Sequence, residues 1–152
     1  MKTLPVAPVP RTAYAAAAAR HLADGESLFV HHRHANAGQL YGFVAECGLK
    51  ALLIACGVEA DAQGEIPVRD RFRLHLPKLT DRITIDGHLI PDGPKATQYL
   101  ANLTRLDAFD DWSIDHRYWH ESSLPADSFT AWRTAAAEVG EMLDQAKQDG
   151  VL

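Results

Sequence analysis

The run from Asp110 to Pro125, DDWSIDHRYWHESSLP, holds the densest set of titratable side chains in the chain. Asp115, His116, Arg117, His120 and Glu121 fall within seven consecutive positions. Imidazole exchanges protons near neutral pH, and a guanidinium stabilises developing negative charge. Only Tyr118 and Trp119 separate Arg117 from His120, and on a helix that i,i+3 spacing makes neighbours. Arg117 and His120 are thus candidates for a shared site, and His116 is a candidate binding residue. The plainer alternative is a surface turn in which Trp112, Tyr118 and Trp119 plug the core.

Three other groups could bear chemistry. Arg69, Arg71, Arg73 and His75 make the most basic patch in the chain, and arginine offers phosphate a planar fork of donors. The alternative is a solvated basic loop that offsets an acidic protein. Arg69 and His75 are also separated by five residues, as are Arg82 and His88. Glu46 and Lys50 stand at i,i+4 with Glu first, the favourable order for a helical ion pair. They read as a salt bridge at the rim of the core, or as a polar spot facing a cleft or dimer partner. In the HHRH run, adjacent helical residues diverge by about 100°. Only His31 and His34 could share an ion, and a polar helix junction is the simpler reading. No Gly-rich phosphate loop, serine-nucleophile motif, zinc-spaced cysteine set or HExxH appears, so no cofactor is expected.

The elements that must position these groups are helical. Ala35–Val58 is the longest apolar segment, with Glu46 and Lys50 near its middle. Charges there are expensive in a bilayer, so the segment is expected to be a buried bundle helix with no membrane role. Its apolar residues occupy two faces, and Gly38, Gly42, Ala45 and Gly48 allow close helix approach. Gly57 is placed to end it. A first helix is expected from after Pro10 to about Val30, with Tyr14, Ala18, Leu22, Gly25 and Phe29 on one face and a bend at Gly25. A short helix with Pro77 in its first turn runs to about Ile85. It competes with a hairpin over residues 83–90 about Asp86-Gly87. Further helices are expected over 95–106, and over 127–148 with Asp127 as N-cap and Gly150 as stop.

The chain has 152 residues, 47% hydrophobic and 23% charged, which fits one domain with a real core. Residues 1–10 read as an extended arm rather than a secretory signal, and residues 11–150 as one helical domain. A net charge of −5 argues against a dominant nucleic-acid footprint. Cys47 and Cys56 lie nine residues apart on one helix, about 13.5 Å along its axis, too far to bridge. Two unpaired thiols fit a reducing, cytoplasmic setting. The fold class expected is all-α, an antiparallel bundle of about five helices.

With these residues in view, the chain resembles the HEPN family (higher eukaryotes and prokaryotes nucleotide-binding domain). The resemblance rests on three stretches. They are the central helix Ala37–Leu53, AGQLYGFVAECGLKALL; RLHLPKL at Arg73–Leu79; and WSIDHRYW at Trp112–Trp119 before a long terminal helix with a Trp. It covers roughly positions 12 to 146, and the order and spacing of the stretches carry it. It implies a helical bundle that forms a homodimer. It also implies a cytoplasmic binding module for nucleotide, RNA or a protein partner, in the setting of toxin–antitoxin or defence systems. The alternative it implies is a metal-independent endoribonuclease. Ribonuclease members carry an Arg and a His a few residues apart on a late helix, for which Arg117 and His120 are the nearest counterparts here.

Overall fold

The helix at the centre of the molecule buries more than half of its residues, because it is apolar on more than one side. In a computed structural model that describes residues 2–152, it spans His34–Ala55 and is designated α2. It follows α1, Tyr14–Val30, and precedes α3, Lys78–Asp86, α4, Gly93–Leu100, and α5, Phe129–Gln148. Short 3-10 turns cover Gly87–Leu89, Leu106–Asp111, Ile114–Tyr118, Glu121–Ser123 and Ala126–Ser128. Among the described residues there is no strand, and the fold is an all-α helical bundle. No helix is long and apolar enough to cross a membrane.

Contacts along the three long helices give their directions. Phe29, Gly25, His21 and Tyr14 of α1 meet Tyr41, Tyr41, Phe43 and Lys50 of α2, so the chain rises on one helix as it falls on the other. Gly38 of α2 abuts Trp132 of α5, and Gly48 abuts Val139, so α2 and α5 run parallel. Leu22 reaches Gly140 and Glu26 binds Arg133, so α1 is antiparallel to α5. Three helices in mutual contact have only two directions to share, so one pair must be parallel. The long connection from Cys56 to Ser128 returns the chain to the starting end of α2.

Small residues set the closeness of this packing. A Cβ on Gly42 would lie 1.9 Å from the Trp112 indole, which fills the space and donates to Gly38 O at 3.1 Å. Gly25 makes no bend; α1 is continuous there, and Gly25 lies against the Tyr41 ring. Gly57 has φ +98° and ends α2 as its position predicts. Residues 83–89 are helical, α3 running directly into a 3-10 turn, which settles the choice against the hairpin.

Two expected boundaries differ. The 95–106 helix stops at Leu100. Beyond it Thr104 hydrogen-bonds Glu138 of α5 at 2.9 Å, drawing the chain aside, and Leu106 begins a separate turn. Asp127 does not cap α5. It lies in the preceding 3-10 turn, and α5 starts at Phe129, with Ser128 turned to the Asp111 carboxylate instead.

Candidate functional site

Two clusters contain the residues singled out by type and spacing. The first is at the middle of α2. The Glu46 carboxylate is buried and accepts from Lys50 Nζ at 3.3 Å, from the Leu76 amide at 3.2 Å and from His75 Nδ1 at 3.0 Å. Lys50 is 4% exposed and its ammonium lies 5.8 Å from the centre of the Tyr14 ring. The His75 side chain is 58% exposed. Its Nδ1 faces both oxygens of the carboxylate, at 3.0 Å and 3.1 Å, which orients the ring. The neighbouring Cys47 thiol is pushed up to about 11 by burial, with Glu46 adding to the effect, so it stays protonated and unreactive.

The basic patch does not join this cluster as a phosphate grip. Each arginine is occupied by a different carboxylate. Arg69 meets Glu59 at 3.6 Å, Arg71 meets Asp86 at 3.5 Å, and Arg73 meets Glu65 at 2.6 Å. Arg73 also donates to Ile66 O at 2.5 Å, pinning the loop that leads to His75. Arg82 binds Asp86 one helical turn further on, at 3.0 Å, while His88 follows in a 3-10 turn.

The second cluster is the aromatic segment before α5. Arg117 and His120 do not share a helix. The 3-10 turn ends at Tyr118, Trp119 is extended, and His120 caps the next turn through Ser122. The i,i+3 neighbourhood expected of a helical pair is therefore absent. Arg117 lies over the Tyr118 ring at 4.7 Å, and His120 Nδ1 is 2.8 Å from Ser122 Oγ.

The three aromatics divide in a way that composition did not indicate. Trp112 is buried, but Tyr118 is 75% exposed and Trp119 48% exposed, so these two are not core plugs. His116 is the other buried residue of the segment. Its ring stacks towards Trp132 of α5 at 5.8 Å and lies 4.6 Å from Trp119, bracing the exposed indole against the core. Burial holds the His116 imidazole below its ordinary value, opposed by Asp111 and Asp115, so the ring is neutral at neutral pH. The result is a firm outward platform of Arg117, Tyr118, Trp119 and His120. Tyr118 and Trp119 are the residues that sequence reasoning misplaced, and no periodicity marks them, because 3-10 turns have no long amphipathic repeat.

His31 and His34 also part company. His31 Nδ1 bonds Ser27 O at 2.7 Å, while His34 stacks on Phe29 at 4.4 Å. Between them His32 takes φ +60° and turns the chain from α1 into α2. Among the described residues no group of three or more His, Cys, Asp or Glu side chains is gathered to hold a metal ion.

A structural clamp was not anticipated from the sequence. Glu26 of α1 takes a two-pronged contact from Arg133 of α5, at 2.7 Å and 2.9 Å, and a hydrogen bond from Tyr41 of α2 at 2.7 Å. Arg133 holds the Glu26 carboxyl below its usual range, with Tyr41 adding to the effect. Its members are far apart in sequence, so no local spacing could signal it. The chain matches no family model, no curated protein and no solved structure.

Proposed function

We propose that this protein is a non-catalytic binding module of HEPN-like type that acts on a protein partner through the platform at residues 117–120. The observation that carries this reading is the joint exposure of Arg117, Tyr118, Trp119 and His120, with Trp119 braced on buried His116. Arg, Tyr and Trp are the types that concentrate binding energy at protein interfaces, and a braced aromatic loses little freedom on binding.

Charge favours protein over nucleic acid at this surface. Residues 107–121 carry Asp107, Asp110, Asp111, Asp115 and Glu121 against the single Arg117. Five carboxylates against one guanidinium give a net −4, which repels a polyphosphate backbone. The arginines that could have gripped phosphate, Arg69, Arg71 and Arg73, are each already paired.

A second reading, a metal-independent endoribonuclease, draws support from His75. A carboxylate-oriented, half-exposed imidazole is the arrangement of a general base. Incubating the purified protein with single-stranded RNA in chelator separates the two readings. Intact RNA is the expected result. Cleavage that disappears in His75→Ala or His120→Ala would overturn the binding-module reading.

A further inference from the structure

The N-terminal arm carries a feature that the rest of the chain leaves unused. Every residue from 2 to 11 is exposed. Leu4, Val6 and Val9 are 87%, 93% and 69% exposed, the first two more so than any other large hydrophobic side chain described. Pro5, Pro8 and Pro10 fix their own φ angles and push the residues before them to extended conformations. The segment Pro5-Val6-Ala7-Pro8 thus has the P-x-x-P form of a polyproline II ligand, which is recognised by exposed aromatic side chains. Such a ligand is already extended and gives up little entropy on docking.

The platform at 117–120 has the complementary character. It presents an exposed Tyr and an exposed Trp at consecutive positions, flanked by the exposed carboxylates of Asp115 and Glu121. The arm carries Lys2 and Arg11 and no carboxylate. Aromatic surface meets proline, and acidic surface meets basic chain.

Within one copy the two features belong to opposite ends of the bundle. The arm is tied down where Thr12 N donates to Gln63 O at 2.7 Å, and α1 begins beside Lys50. The platform segment lies at the other end of α2, where Trp112 bonds Gly38 O and Gln39 donates to Ile114 O. A second copy carries both features, so an isologous two-fold pairing satisfies both arms and both platforms at once.

We infer that the proline-rich arm of one copy docks on the Tyr118–Trp119 platform of a second copy, forming an arm-exchanged dimer. This rests on the reading of the platform as a protein-binding surface, and it names the ligand class and its source.

The test is the oligomeric state of the full chain, followed by light scattering and sedimentation across a dilution series. A dimer that dissociates on dilution is expected. Trp119→Ala should weaken it by about thirtyfold, the loss typical of a hot-spot aromatic. The arm variant Pro5→Gly with Pro8→Gly should weaken it too. That variant lies outside the core, so its effect cannot come from misfolding, and circular dichroism checks the fold of Trp119→Ala. A chain that is monomeric at every concentration overturns the inference. So does a dimer that both variants leave unchanged. His75-dependent RNA cleavage in chelator overturns instead the underlying binding-module reading, and it is measured independently of the oligomeric state.

Discussion

At the middle of α2, Glu46 and Lys50 are charged and buried, and each finds its partner inside the molecule. At residues 117–120, the aromatic and basic side chains are exposed. The first cluster lies on the most buried helix, where an unpaired charge would be costly. Glu46 therefore collects three donors, from Lys50, His75 and the Leu76 amide. The second lies in short 3-10 turns that pass over the end of the bundle. Of residues 110–125, only Trp112 and His116 are buried. Similar residue types thus serve cohesion in one place and leave a contact surface in the other. The difference comes from the secondary structure that carries them.

Removing the Glu46 carboxylate should break this contrast most severely. Glu46→Ala leaves Lys50 buried without its counter-charge and the Leu76 amide without its acceptor. A loss of about 3–5 kcal/mol is expected from urea unfolding. A loss under about 1 kcal/mol would mean that Lys50 reaches solvent and that the cluster is not cohesive.

Acid should act next, and more mildly. Burial holds the His116 and His21 imidazoles below their ordinary value of 6.5. The unfolded chain then takes up protons that the folded chain refuses, so stability falls as pH drops below about 6.5. Carboxylates held low, such as Glu26 under Arg133, add their own loss only below their ordinary 4.5. Melting temperatures between pH 7.5 and 5 should therefore decline, and His116→Phe should flatten part of that decline. An unchanged slope in His116→Phe would place the acid sensitivity elsewhere.

The smallest effect sharpens the contrast from the other side. Tyr118 is 75% exposed and Arg117 lies over its ring, so Tyr118→Ala should change unfolding free energy by no more than about 0.5 kcal/mol. A larger loss would mean that the platform is part of the core after all.

The long helices were legible because their periodicity is long. Twenty-two residues of α2 and twenty of α5 repeat the apolar pattern often enough to fix faces and ends. The Glu46–Lys50 pair was legible too, since its partners share a helix one turn apart. His75 as the third member was not, because it reaches Glu46 across twenty-nine positions. The segment from 101 to 128 was read least well. There the sequence predicts a helix to Leu106 and a cap at Asp127, and its aromatics suggest core plugs at Tyr118 and Trp119; the structure has none of these. Short 3-10 turns offer too few residues for a face to show.

By itself the sequence determined an all-α chain, the burial of its central helix and the need for small residues along that helix. These follow from local propensity and from the spacing of apolar residues, which act over one or two turns. The tertiary structure decided the rest. It made α2 and α5 parallel, since three packed helices cannot all oppose one another. It occupied each arginine of the basic patch with a separate carboxylate. It turned Tyr118 and Trp119 outwards while His116 went in. Each of these depends on which distant segments meet, and contacts at long sequence separation leave no periodic trace in the chain.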